Sequence, residues 1–200
     1  MKLSHIVPRR YFTALVAIVL VGCGTTADVT HLKKPDKALD LTGLRIVYLE
    51  RESKVNSTDP RLDNNMIKKS IADLGQEVLD RLSAGLEPLG IETLTHSVQT
   101  DADARLPMET RLWLSRTYPE WPVLLVVPTG GRIFCTPCTL QTDVVMDIRS
   151  AANFESEWTV KLKQPALTPS AEIGQGATYR HFADEMLRTL LADVRGPKSP

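Results

Sequence analysis

The sequence has little of what several classes of protein depend on. Its 200 residues include 3 cysteines and 4 histidines, and 24 lysines and arginines balance 24 aspartates and glutamates. So few cysteines exclude a small domain held together by many disulfides. Without residues 1–22, 21 lysines and arginines remain against 24 acidic residues, with no dense basic patch in the sequence, so the electrostatic pattern of nucleic-acid binding is absent. What is present is the composition of a globular chain, 42% hydrophobic and 24% charged, which predicts one folded domain with extra segments.

The amino terminus carries the clearest pattern. Lys2, Arg9 and Arg10 precede an uncharged apolar segment, Tyr11–Val21, which is too short to span a bilayer of about 30 Å. The segment ends in Leu-Val-Gly-Cys at Cys23, which resembles the lipobox of bacterial lipoprotein precursors. This resemblance implies cleavage before Cys23 and acylation of that residue, with palmitate among the chains. We therefore expect a signal peptide over residues 1–22 and a membrane anchor on Cys23; an uncleaved anchor or an ordinary signal peptide is the alternative.

The residues after Cys23 bear on location. Gly24, Thr25 and Thr26 follow the cysteine, whereas lipoproteins kept in the inner membrane usually carry aspartate there. This predicts lipid anchoring in the outer membrane, facing the periplasm, with the periplasmic face of the inner membrane as the alternative. Residues 23–40 are small, polar and charged, which predicts a flexible tether, or alternatively an arm packed on the domain.

One domain is predicted over residues 41–195, followed by a disordered tail over 196–200. Its best helix covers 66–86, where apolar residues recur every three or four positions on one stripe. Strands are predicted over 44–49, 91–95, 123–127, 140–149 and 158–162, and further helices over 107–117 and 179–194. Residues 128–131 are expected to turn the chain, and the last two strands to form a hairpin. The order β-α-β-α-β-β-β-α predicts an α+β fold with a small mixed sheet and helices packed on it.

A single sequence pattern invites chemistry, the pair Cys135-Thr136-Pro137-Cys138. A C-x-x-C pair resembles the redox motif of thioredoxin-like proteins, where the first thiol lies at a helix amino terminus. After Cys138, however, the residues alternate with period two, which predicts a strand, and Phe134 stands where those proteins carry tryptophan. In an oxidising periplasm Cys135 and Cys138 are expected to form a structural disulfide that closes a tight turn. Catalytic redox chemistry, metal binding and free thiols are left open.

No other group of residues predicts catalysis, a metal site or a bound cofactor. A zinc site at the cysteines needs two more ligands, and His96 and His181 lack ligand spacing. Asp143 and Asp147 lie four apart on one strand and are expected on its solvated face. The tryptophans are expected in the core and at its rim rather than in a ligand box: Trp113, Trp121 and Trp158.

Lipobox, polar tether and element order together resemble a group of periplasmic lipoproteins that includes the penicillin-binding-protein activator LpoB. The domain of that group is similar to the amino-terminal domain of TolB. The likeness covers about residues 41–195 and depends on element patterns, since the group shares no catalytic residues. It implies a non-enzymatic module that docks on an unidentified partner in envelope assembly, secretion or peptidoglycan synthesis, or on further copies of itself. The alternative is a periplasmic thiol-disulfide redox protein that uses the C-T-P-C pair.

Overall fold

The structure of the protein, a computed structural model, describes residues 27–35, 38–51, 64–101, 103–135, 138–163 and 175–195. The predicted signal peptide, Cys23 and the predicted tail over 196–200 lie outside these ranges, so they stay predictions. Within the ranges, no helix combines the length and the hydropathy that crossing a membrane requires.

A six-stranded mixed sheet lies at the centre of the fold. The described ranges contain eight strands, of which six form this sheet: β1 (Asp28–Lys33), β2 (Leu39–Asp40), β3 (Gly43–Arg51), β4 (Glu92–Thr100), β5 (Val123–Cys135), β6 (Cys138–Arg149), β7 (Ser156–Lys163) and β8 (Val194–Arg195). The order in the large sheet is β1-β7-β6-β5-β3-β4, while β2 and β8 form a separate parallel pair. Strand β3 is parallel to both of its neighbours, and the other pairs are antiparallel. The predicted α+β class and the β6–β7 hairpin are confirmed.

Two long helices, α1 (Asn64–Leu86) and α3 (Gln175–Asp193), pack against each other on one face of this sheet. The predicted apolar stripe of α1 is buried there, except that the side chain of Ile67 lies outside the described part. The buried members are Ile71, Leu74, Val78, Leu82 and Leu86. They belong to one core with alternate residues of β3, β5, β6 and β7, because successive strand side chains point to opposite faces.

A shorter helix, α2 (Met108–Arg116), lies on the opposite face, which we call the outer face. Its Leu114 packs in a second, smaller core with residues of β3 and β5. These are Val47, Leu49, Val123 and Leu125. Nine residues of helix are only about 13 Å long, so α2 covers only a small part of the sheet.

The segment before the first predicted strand is partly structured. Asp28–Lys33 forms β1, the edge strand beside β7, and Leu39–Asp40 pairs with the residues that follow α3. For these residues the structure has the packed arm rather than the flexible tether. All six β1 residues are exposed or half-buried, so the strand forms mainly through backbone hydrogen bonds that residue types specify weakly.

The predicted turn over residues 128–131 is wrong. Strand β5 continues through these residues to Cys135, and its pairing with β6 shifts register between Pro128 and Gly130. Such a bulge accommodates a proline, which has no N–H to donate to the ladder. Strand β4 also extends beyond its prediction, from residue 95 to Thr100, because the whole length of β3 offers it a parallel partner.

Candidate functional site

The cysteine pair lies at the end of the long β5–β6 hairpin. Cys135 and Cys138 occupy paired positions in the backbone ladder, and β6 begins at Cys138 itself. Their side chains lie outside the described part, so the disulfide stays a prediction. The helix amino terminus that activates a thioredoxin-like thiol is not there, since the residues that follow Cys138 form a strand.

The two histidines weighed as metal ligands lie apart. His96 on β4 stacks against Trp113 of α2, with ring centroids 4.9 Å apart. His181 is exposed on α3, on the other side of the sheet. Over the described ranges, no three histidines, cysteines or acidic residues come together as a metal site would require.

The tryptophans lie in the core and at its rim, as expected. Trp158 is fully buried against α3, and its indole N–H donates to Asp193 at 2.8 Å. Trp121 stacks on Tyr118 with ring centroids 4.3 Å apart, and it covers Gly43 so closely that no side chain fits there.

The acidic pair of β6 differs from its prediction in one member. Asp143 forms an ion pair with Lys161 at 3.2 Å and is partly exposed. Asp147 is buried instead of solvated, because it lies under the connection between β6 and β7. It accepts hydrogen bonds from the hydroxyls of Ser156 (2.6 Å) and Thr159 (3.0 Å) and from Nε of Arg149 (2.8 Å). This carboxylate has three protein donors, as in a structural network.

A groove of about 720 Å³ opens on the outer face between α2 and the β6–β7 connection. Its walls combine apolar side chains with three arginines, Arg45, Arg111 and Arg149, and no carboxylate is among its lining residues. We call it the arginine groove. Its larger apolar side chains are Leu106, Leu114, Val123, Leu125 and Phe154.

Arg45 lies on β3 beneath the end of α2. Its neighbours in sequence, Leu44 and Ile46, face α1, so Arg45 must point to the outer face, where it is only 3% exposed. Its guanidinium donates to the carbonyls of Leu114, Thr117 and Trp121, of which the first two are acceptors at the carboxyl end of α2.

The charge of Arg45 is incompletely matched. Its Nε is buried and has no hydrogen-bond partner. Burial lowers the pKa of the guanidinium, and the charge of Glu120 opposes this effect. Within the described part of the chain, no carboxylate forms an ion pair with Arg45. Because an isolated buried charge is costly, this cation favours an anion nearby.

The other two arginines of the groove retain donors. Arg111 is exposed on α2 and donates its Nε to the carbonyl of Leu106 at 3.1 Å. Arg149 is held by Asp147, and its guanidinium lies 5.0 Å from the ring centroid of Phe154. Each guanidinium has five N–H donors in a planar fork, so both keep N–H groups that can meet a ligand.

The backbone around the arginine groove is strained. Three non-glycine residues in the described ranges have positive φ: Ala104 (54°), Tyr118 (46°) and Phe154 (60°). Ala104 and Phe154 line the groove, and Tyr118 precedes Pro119, which also lines it. Such backbone is costly for residues other than glycine and is often found at ligand sites.

Apolar side chains beside the groove are exposed. Met108 and Leu112 are one helical turn apart on α2 and are 68% and 44% exposed, and Tyr118 is 49% exposed. A helix usually buries such residues, so α2 has an unpartnered side next to the arginine groove.

Sequence reasoning missed this site. Arg45 could have been noticed in the sequence, because it is a charged residue inside the apolar run 44–49. A charged residue there is expected to be buried only when it has partners. Nothing in the sequence placed Arg111 and Arg149 beside it, since they lie on separate elements that only the fold brings together.

Comparisons with known proteins give a fold and no family. No family model matches the chain, and no curated protein matches its sequence. Among solved structures, a PelC dodecamer from Paraburkholderia phytofirmans is similar with a TM-score of 0.52 and 12% identity. The match covers 85% of this chain and 99% of that one. At this identity it shows that the folds are alike and nothing more.

Two further matches are too weak to support a conclusion about the fold or the function of this chain. A PelC dodecamer from the same organism that carries one substitution has a TM-score of 0.49 at 9% identity, covering 86% of this chain and 100% of that chain. A putative neuraminyllactose-binding hemagglutinin homolog from Helicobacter pylori has a TM-score of 0.29 at 9% identity, covering 78% and 86%.

Proposed function

We propose that this chain is a lipid-anchored periplasmic protein that docks on an envelope partner without catalysing a reaction. The observation that carries the proposal is the outer face, where apolar residues of α2 are exposed next to the arginine groove. Docking requires such a surface, whereas Asp147, the buried acid of this face, is occupied by three donors. The partner would act in envelope assembly, secretion or peptidoglycan synthesis.

The anchor restricts where that partner lies. Ala27 is buried in the core, and four residue steps separate it from Cys23. A fully extended chain spans at most about 3.6 Å per residue, so Cys23 lies within about 14 Å of Ala27. With lipid on Cys23, the domain is held against the membrane, in the outer membrane under our proposal, and the partner must lie at that surface.

A second copy of the chain is included among the partners. The PelC structure of similar fold is a dodecamer. The exposed apolar residues of α2 would suit self-association as well as binding to another protein.

The test is photo-crosslinking in cells at native expression level. A photoreactive amino acid replaces Leu112 on the outer face, and the matched control replaces Arg180, which is exposed on α3 on the opposite face. We expect a single adduct from Leu112 and none from Arg180, and mass spectrometry then identifies either another envelope protein or a second copy. Equal adducts from both positions, or none from either, would contradict the proposal.

Two further variants separate anchoring and redox chemistry from docking. Cys23→Ser should abolish palmitate labelling and membrane association. The double variant Cys135→Ser and Cys138→Ser should keep the Leu112 adduct. Mixed disulfides trapped through Cys135 or Cys138, with loss of that adduct in a folded double variant, would favour the redox alternative.

A further inference from the structure

We propose that the arginine groove binds a small amphipathic anion, an apolar body that carries a carboxylate, sulfonate or phosphate. The site lies within one chain and does not depend on the docking function. Three independent features of the groove support it: its charge, its shape and its strained walls.

The positive charge of the groove favours an anionic ligand. Arg45, Arg111 and Arg149 line it without a lining carboxylate; Asp147 forms an ion pair with Arg149 behind the groove, and Glu120 acts on Arg45 without an ion pair in the described ranges. Arg45 lies under the groove in a low-dielectric setting, where its charge is little screened by solvent. The exposed donors of Arg111 and the remaining donors of Arg149 lie nearer to solvent and would contact the anionic group directly.

The shape and lining of the groove call for a small apolar body. Its volume of about 720 Å³ falls inside the range of roughly 300–1,000 Å³ that is typical of small-molecule sites. Leu106, Leu114 and Phe154 supply apolar walls within reach of the arginines. A ligand with charge alone would leave these walls in contact with water, so the site favours an amphipathic ligand.

The strained walls point to a preformed site. Ala104 and Phe154 hold positive φ where no glycine is present, and the Phe154 ring is fixed under the guanidinium of Arg149. The fold keeps this costly geometry at two residues that line one groove. Preformed walls of this kind reduce the ordering cost of binding.

Naphthalene-2-carboxylate is a suitable probe, because it joins an apolar body to one carboxylate. Binding to the full chain in a neutral detergent would be measured by calorimetry, with a detergent-only titration as blank. The uncharged matched probe is naphthalene-2-carboxamide. We expect saturable 1:1 binding of the acid, about tenfold or more tighter than the amide, because only the acid matches the arginines.

Variants on one helix assign the site. Arg111→Met should weaken binding of the acid about three- to tenfold, whereas Arg116→Met, an exposed position on α2 outside the groove, should not. Ser115→Trp places a large side chain at the groove and should abolish binding, whereas Arg116→Trp should not. Circular dichroism checks that each variant is folded.

The outcomes decide the proposal. Equal binding of acid and amide, absence of saturable binding, or binding unchanged in folded Arg111→Met and Ser115→Trp would each overturn it. Competition distinguishes the natural source of the anion. Displacement by phosphatidylglycerol added to the detergent micelles indicates a lipid headgroup, and displacement by octanoate but not by phosphatidylglycerol indicates a free anion; failure of both competitors would also overturn it.

Discussion

Helix α1 approaches the sheet closely at Gly75, and replacing this residue tests the packing directly. A Cβ added at Gly75 would lie 2.5 Å from the ring of Tyr48, which is fully buried on β3. The ring cannot swing away freely, because its hydroxyl donates to the carbonyl of Ile71 on the same helix at 3.0 Å. Gly75→Ala therefore forces α1 away from the sheet or breaks that hydrogen bond.

Two opposing effects set the magnitude. Alanine in place of glycine inside a helix gains about 1 kcal/mol from propensity. Overpacking a core costs about 1–3 kcal/mol, and losing the Tyr48 hydrogen bond costs about 1 kcal/mol more. We expect Gly75→Ala to lower the free energy of unfolding by about 1–3 kcal/mol.

Gly85→Ala is the matched control on the same helix. The added Cβ would meet the end of the Leu187 side chain, which is only partly buried and can rotate. Clash and propensity then nearly cancel, and the change should stay within about 0.5 kcal/mol of zero.

Urea unfolding followed by circular dichroism measures both variants. In a chain that already carries Tyr48→Leu, Gly75→Ala should cost less free energy of unfolding than it does in the parent chain, because the ring that causes the clash is gone. A Gly75→Ala variant as stable as the parent chain would refute the close approach of α1 and β3.

Three further predictions concern buried polar groups. Burial raises the pKa of Tyr48 and of Tyr179 above the ordinary value near 10, so both phenols stay protonated in the folded chain when the unfolded chain ionises. The stability that this difference contributes is complete below a pH of about 10, and the free energy of unfolding falls as pH rises further. Tyr48→Phe should reduce the slope of that fall by up to about 1.4 kcal/mol per pH unit in urea titrations at alkaline pH. An unchanged slope would contradict the burial of Tyr48. Asp147→Ala leaves three donors without their acceptor and should cost about 2–3 kcal/mol in urea unfolding. The control Asp143→Ala, at a more exposed residue, should cost less than about 1 kcal/mol. Equal losses would show that the Asp147 network does not form. Trp158→Phe removes the N–H that donates to Asp193 and leaves a small cavity, so it should lower the free energy of unfolding by about 2 kcal/mol and lower the melting temperature correspondingly. An unaltered melting temperature would argue against this contact.

Elements with strong periodicity could be predicted from the sequence. The stripe of α1 and the alternation in β6 and β7 specify both the type of element and its buried face, because burial of apolar side chains follows the geometry of each element. The α+β class then follows from the order of elements, since each apolar face must be buried against another.

Elements whose formation depends on partners were missed or shortened. Strand β1 has an exposed, mixed surface and forms because β7 offers a free edge. Strand β5 runs through Pro128 and Gly130 because β6 supplies a ladder on which a bulge is tolerated. Local residue preference predicts a coil in the first case and a turn in the second, and long-range pairing overrides both.

The candidate site is the feature least accessible to sequence reasoning. The sequence by itself determined the mixed α+β class, the long helix and the alternating hairpin, because side-chain periodicity carries that information along the chain. Only the tertiary structure decided that Asp147 is buried and that Arg45, Arg111 and Arg149 share one groove. These residues come from β3, α2 and β6, and their meeting depends on sheet order and on which face α2 covers. Both are set by contacts between residues far apart in sequence, which no local pattern encodes.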